Sequence, residues 1–227
     1  MANKNRNGDG ITIQVANENH LPYINTILET MESAAKARGT GIARRSPGYI
    51  RDKMKEGKAI IALDNDIFAG FCYIESWSGK KFVANSGLIV APGYRGHGLA
   101  RRIKEKAFAL SREKFPDAKI FGLTTSLAVM KINTDLGYKP VTFSMLTDDE
   151  DFWKGCEGCV NHDILMRTGK HRCLCTAMLY DPAWEKENNR PKTRLEQHSL
   201  KVFERWLQLK RNILTRLKNN KNQVKNE

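Results

Sequence analysis

Gly87-Leu-Ile-Val-Ala-Pro-Gly-Tyr-Arg-Gly-His-Gly-Leu-Ala-Arg-Arg-Ile103 is the most informative stretch of this 227-residue chain. An apolar run from Phe82 to Val90 leads into it, and Pro92, Gly93, Gly96 and Gly98 punctuate a turn. Leu99, Ile103, Ala107 and Leu110 then recur at helical spacing up to Lys114. The reading is strand, Gly-rich turn, helix. The first N–H groups of such a helix have no intrahelical acceptor, and the positive end of the helix dipole lies behind them. A pyrophosphate is the natural occupant of that position. Gly96 and Gly98 let it approach the backbone without meeting a Cβ, and Arg95 adds a cationic donor.

Outward from this segment the pattern alternates. Upstream, Ile11 to Val15 reads as an opening strand, and Leu21 to Arg38 has helical spacing stopped by Gly39 and Gly41. Ser46-Pro47 reads as an N-cap followed by proline at the first helical position, opening a helix to about Glu56 that Gly57 ends. Ala59 to Leu63 and Ile67 to Glu75 form a hairpin about Asn65-Asp66. Downstream, Lys119 to Thr124 is an apolar strand, Leu127 to Leu136 a helix closed by Gly137, and Lys139 to Met145 a last strand. The fold class is therefore mixed α/β, a central sheet flanked by helices.

The formal net charge is +13. It favours an anionic partner without naming one, and much of the excess lies in the C-terminal tail; nucleic acid is not expected. No apolar run reaches the ~18–20 residues that span a bilayer, so no membrane role is expected. Residues 1–10 read as a flexible N-terminus without signal-peptide character, and the expected compartment is the cytoplasm.

Val90-x-Pro92-x-x-Arg95-x-x-Gly98-x-Ala100 resembles the acetyl-CoA signature of the GNAT superfamily of N-acyltransferases, Arg/Gln-x-x-Gly-x-Gly/Ala after a strand ending in Val-x-Pro. The order of elements over residues 11–146 is similar too, and that span is the expected catalytic domain. The resemblance implies that the strand before the loop splays from its neighbour and that backbone groups of Leu88, Ile89 and Val90 hold the pantetheine arm. It places the pyrophosphate on Arg95, Gly96, His97, Gly98, Leu99 and Ala100. Acetyl-CoA is the implied co-substrate.

The chemistry needs a base for the attacking amine and an N–H donor for the oxyanion. Glu75, at a strand end beside the expected thioester, is the candidate base, with a solvated strand-end carboxylate as the alternative. Many GNAT members carry a Tyr acid in the helix after the fifth strand. Here the matching stretch is Asn133-Thr-Asp-Leu-Gly-Tyr138, so Asn133 holds that position. An amide can hydrogen-bond the sulfur or position water, but is a poor acid.

Leu123-Thr-Thr125, Leu136-Gly-Tyr-Lys-Pro-Val141 and Leu146 resemble the acyltransferase part of N-acetylglutamate synthases, and residues 46–182 resemble a Bacteroidetes group of synthase-like proteins. That resemblance implies an amino-acid acceptor such as glutamate, hence amino-acid metabolism and arginine biosynthesis, with Lys80, Lys81 and Arg44/Arg45 as available cations. The alternatives are a protein or peptide N-acetyltransferase and a non-catalytic module that senses acyl-CoA. A donor other than acetyl-CoA, such as succinyl-CoA, stays open.

Residues 147–182 read as a Cys-rich appendage. Cys156-x-x-Cys159 and Cys173-x-Cys175 are expected to converge on a structural zinc ion, with Cys173 and Cys175 on one side of a strand-like run from Arg172 to Tyr180; four unligated thiols are the alternative. Residues 183–218 are expected to carry a long amphipathic helix that packs on the domain or on a second copy as a homodimer. Residues 219–227 read as a disordered tail.

Overall fold

The computed structural model describes residues 10–38 and 45–189, together with 205, 208 and 209. Gly39, Gly41, Arg44, most of the N-terminus, the tail and, of the segment expected to carry the C-terminal helix, residues 190–204, 206, 207 and 210–218 lie outside the described residues. Residues up to Trp184 form one compact unit and Glu185–Glu227 a second. Everything below concerns the first.

Strand β1 (Ile11–Val15) is followed by a 3-10 helix over Glu18–Tyr23 and then by α1 (Ile24–Arg38). The expected start of the helix at Leu21 is too early. Pro22 lies in that stretch, and its missing N–H and its ring disfavour α-helical continuation across it. In α2 (Pro47–Lys55) the Ser46 hydroxyl accepts from the Tyr49 N–H at 3.1 Å, as the Ser-Pro pair foretells. Strands β2 (Ala59–Asp64), β3 (Ile67–Trp77) and β4 (Phe82–Val90) form an antiparallel meander. Then come α3 (Leu99–Lys114), β5 (Lys119–Thr124), α4 (Leu127–Asp135) and β6 (Lys139–Val141). The last of these is shorter than expected, because residues Phe143–Met145 turn into a 3-10 helix.

The largest correction concerns residues 147–182. They form α5 (Glu150–Lys154), α6 (His162–Arg167) and β7 (Thr176–Tyr180), with α7 (Pro182–Asn189) beginning at their end. The sheet order is β1-β2-β3-β4-β5-β7-β6, so β7 enters between β5 and β6 and pairs antiparallel with both. The segment is thus part of the central sheet and not an appendage. Nor is it poor in apolar groups: Trp153, Leu165, Ala177 and Leu179 bury with Phe121, Phe143 and Leu146 in one cluster.

Strand alternation sorts the core onto two faces. Cys72 and Ile74 of β3, Ile120 of β5, and Met178 and Tyr180 of β7 pack with Leu99, Ile103, Ala107 and Leu110 of α3. Phe71 and Tyr73 point to the opposite face, under α1 and α2. On that same face Phe121, Ala177 and Leu179 meet the 143–165 segment.

Candidate active site

The parallel pairing of β4 with β5 lasts only from Phe82–Ala84 against Lys119–Phe121. Beyond Ala84 the two strands part. On its other edge β4 stays paired with β3, but Phe71 faces Ile89 while Tyr73 faces Ser86, so β4 carries one extra residue there. Gly87, at φ +66°, lies in that bulge. The bulge bends β4 away from β5, and the strand splay expected from the resemblance is present.

A cavity of about 200 Å³ fills the gap. Its walls come from both faces of the sheet. On one side stand Lys104 of α3 with Val129 and Asn133 of α4; on the other stand Arg45, Tyr73, Phe152 and the 155–175 segment; Ala84 to Leu88 and Phe121 to Thr125 form the rim between them. The cavity therefore passes through the sheet. A second groove abuts it along β4 and α4, lined by Val90, Tyr94, Arg95, Gly96, Gly98, Leu99, Ala100, Arg101, Ala128, Lys131 and Ile132.

That groove contains the Gly-rich turn. Gly96 and Gly98 sit at φ +85° and +76°, and a Cβ at either would project into open space, with no protein atom within 4 Å. The turn is pinned by two contacts. The Arg95 Nε–H donates to the Val90 carbonyl at 3.0 Å, and the buried Tyr94 hydroxyl donates to Asp64 Oδ2 at 2.9 Å. Arg101 bridges to Asp135 of α4, which holds the two walls together. His97 is exposed and is not a lining residue. Among the expected backbone contacts, Leu88 borders the through-sheet cavity and Val90 the groove, while Ile89 turns its side chain into the core.

Asn133 is 1% exposed and borders the cavity, and its Oδ1 has no hydrogen-bond partner. A buried acceptor without a donor costs on the order of 1–3 kcal/mol, so the site is shaped for a donor supplied from outside. Glu75 is placed otherwise. It forms an ion pair with Lys53 of α2 and accepts from the Tyr49 hydroxyl at 3.0 Å, and it does not line the cavity. Tyr49 packs edge-on against Tyr73 at 5.5 Å, and burial pushes the Tyr49 phenol well above its usual pKa.

Of the available cations among the described residues, Arg45 reaches the cavity, and Lys80 and Lys81 lie exposed at the β3–β4 turn. Its Nε–H donates to the Tyr73 hydroxyl at 2.8 Å, and a Cβ at Gly155 would come within 3.2 Å of its Nη2. A glycine at 155 thus gives the guanidinium room. Position alone could not single out Arg45 in so basic a sequence, and Tyr73 and Lys104 read as ordinary strand and helix residues.

All four late cysteines line the same cavity and are free thiols. Burial, then the neighbouring thiols, push Cys156 up to about 11 and Cys175 up to about 12. No group of three or more His, Cys, Asp or Glu among the described residues is arranged to hold a metal ion. The expected zinc site is not supported. Part of the reason is local: β7 begins only at Thr176, so Cys173 and Cys175 are not held on one face of a strand as their spacing suggested.

Residues 27–131 match the model of the Acetyltransferase (GNAT) family. No curated protein matches the chain by sequence. Among solved structures, N-acetylglutamate synthase from Neisseria gonorrhoeae, complexed with coenzyme A and N-acetyl-glutamate, superposes with TM-score 0.54 at 13% identity, over 75% of this chain and 35% of that one. This chain thus spans about a third of the synthase. Rv2747 from Mycobacterium tuberculosis, in complex with CoA, gives 0.54 at 14% identity over 75% and 98%. The protein yncA from Salmonella typhimurium, with its cofactor acetyl-CoA, gives 0.53 at 14% over 75% and 93%. No helix among the described residues is long and apolar enough to cross a membrane. Over residues 27–131 the chain is thus similar to the GNAT acetyltransferases, and the solved structures share its fold.

Proposed function

From that similarity we propose that the chain acylates the amine of a small carboxylate-bearing molecule, an amino acid such as glutamate, with acetyl-CoA as donor. The observation that carries the reading is the cavity through the sheet. It lies next to the Gly-rich groove on the α3 face and reaches a chamber on the other face, where Arg45 is the one lining arginine among the described residues. The donor would lie with its phosphates on Arg95 to Ala100 and its thioester in the β4–β5 gap, where open backbone N–H groups of β4 suit an oxyanion. The amine would enter from the Arg45 side, its carboxylate on the guanidinium, which is suited to bidentate recognition.

Glu75 keeps the role of base in this reading only through a relay. Tyr49 links it to Tyr73, and Tyr73 borders the cavity. The N-acetyl-glutamate in the Neisseria complex supports the choice of an amino-acid acceptor. The Cys-lined chamber is walled by side chains between residues 143 and 175, a concave site that suits a small acceptor. A cytoplasmic location is part of the same proposal.

Substituting Arg45→Gln should raise KM for an amino acid about tenfold or more and leave KM for its decarboxylated amine within about twofold, since a charge-assisted pair contributes roughly 1.5–3 kcal/mol. Steady-state kinetics on matched pairs of amino acid and amine checks this. Equal losses on both members of each pair would refute carboxylate recognition at Arg45.

A further inference from the structure

Lys104 is an anomaly in the core. It lies on the inner face of α3 among Leu99, Ile103, Ala107 and Leu110, is 2% exposed, and borders the through-sheet cavity. Among the described residues no Asp or Glu pairs with it. A lysine is almost never fully buried unless paired, and an apolar side chain would serve the packing better. Its Nζ lies 5.0 Å from the centre of the Tyr138 ring. The groups around it are neutral: Cys72 from β3 is a buried thiol held up at about 11, and burial raises the Tyr138 phenol well above its usual value. The Tyr138 hydroxyl is engaged, donating to Asn85 Oδ1 at 3.0 Å, while Asn85 donates to Ser111 at 2.7 Å. Lys104 lines the cavity together with Asn133, the residue that stands where many superfamily members carry a tyrosine acid.

Resting on the function proposed above, we propose that Lys104 is the acid of the reaction, its ammonium giving a proton to the sulfur that leaves the thioester. The amine nitrogen forms the C–N bond, and the C–S bond breaks with its electron pair on sulfur. The Nζ proton passes to that sulfur, giving the free CoA thiol and a neutral amine at Lys104. The proton shed by the attacking nitrogen passes by way of Tyr73 and Tyr49 to Glu75, and solvent restores the ammonium. Lys104 and Asn133 lie on the α3–α4 side of the gap and Arg45 on the other, so the leaving sulfur and the entering amine are served from opposite faces. Burial also depresses Lys104 to about 8, against a weaker raising effect of Cys72. That value lies near the ~8.5 of an ordinary thiol, so little free energy separates the proton on nitrogen from the proton on sulfur. Asn133 orients the sulfur or the pantetheine amide and transfers nothing.

The test is Lys104→Met, which keeps the length and burial of the side chain. Its folding is checked by thermal melting and its affinity for CoA by calorimetry. In the wild type kcat should fall as pH rises through about 8, because the ammonium is lost there. In the variant kcat should drop about a hundredfold, within the usual range for a general acid, with KM for acetyl-CoA little changed and the alkaline fall gone. A second readout needs no amine. The thiol of bound CoA, followed by the ultraviolet absorbance of its thiolate, should ionise about one pH unit or more lower in the wild type than in the variant. The same thiol ionisation in both proteins would overturn the proposal, as would a stable acetyl group found on Lys104. If the wild type acylates no amine, the functional reading fails, and the thiol titration still decides whether Lys104 meets the sulfur.

Discussion

With aspartate at position 98, CoA should bind at least about tenfold more weakly while the protein stays folded. The two effects separate because of where Gly98 sits. It is the residue preceding α3, at φ +76°, and a Cβ there meets no protein atom within 4 Å. The cost to the fold is backbone strain of roughly 1–2 kcal/mol, and Asp is among the residues that tolerate this conformation best. The cost to binding is larger. The side chain would project into the groove at the positive end of α3 and set a carboxylate against a pyrophosphate. Two like charges about 4 Å apart cost on the order of 4 kcal/mol at an effective dielectric near 20. Gly98→Asn is the control, a side chain of the same shape that also tolerates the conformation and carries no charge. Calorimetric titration of CoA into both variants checks the result. Unchanged affinity in a folded Gly98→Asp protein would remove the Gly-rich turn from the site.

Valine at position 87 should destabilise the protein by about 3 kcal/mol or more. Gly87 has φ +66°, and a Cβ added there would lie 2.5 Å from the Tyr73 ring and 2.8 Å from Met31 Cε. A β-branched residue pays the left-handed strain, roughly 1–2 kcal/mol, and overpacking adds about 1–3 kcal/mol more. Gly79→Val provides the comparison. Gly79 has a similar φ of +63° with nothing within 4 Å, so it should show the strain alone. Urea unfolding of the two variants separates the terms. Equal losses would mean that the Tyr73 contact is relieved at no cost. The clash also matters for the site, because Gly87 makes the bulge that turns β4 from β5, and Tyr73 borders the cavity.

The elements legible in the sequence are those whose signals are local. Ser46-Pro47 announced α2, Asn65-Asp66 the hairpin, and the bounds of α3 follow from the Gly98 stop and the spacing of Leu99, Ile103, Ala107 and Leu110. The Gly-rich turn was legible because the need for φ above zero leaves glycines at fixed places. The place of β7 was not legible. Insertion between β5 and β6 is a pairing between residues more than 50 apart, Phe121 with Leu179, and neither run carries a mark of its partner. For the same reason the cysteines read as a separate metal-bound appendage, whereas they line the cavity. In sequence order Glu75 stands near the gap, which is what recommends it as a base. The face it points to was fixed by Lys53 and Tyr49 on α2, which strand position alone does not reveal. Lys104 was hidden because a lysine on an amphipathic helix ordinarily faces water, and only the packing of β3, α4 and Tyr138 around it shows otherwise.

If the cavity through the sheet is a site of acyl transfer, CoA thiol must appear when an amine is supplied. The most direct measurement is the release of free CoA thiol from acetyl-CoA, with amino acids, glutamate among them, and their decarboxylated amines offered one at a time, and with mass spectrometry of the products. The account predicts thiol release that requires an amine, saturates with it, favours carboxylate-bearing acceptors and yields the N-acetyl product in equal amount. Tight CoA binding with no amine-dependent thiol release across the panel would contradict it, and would leave the domain as a sensor of acyl-CoA rather than an enzyme.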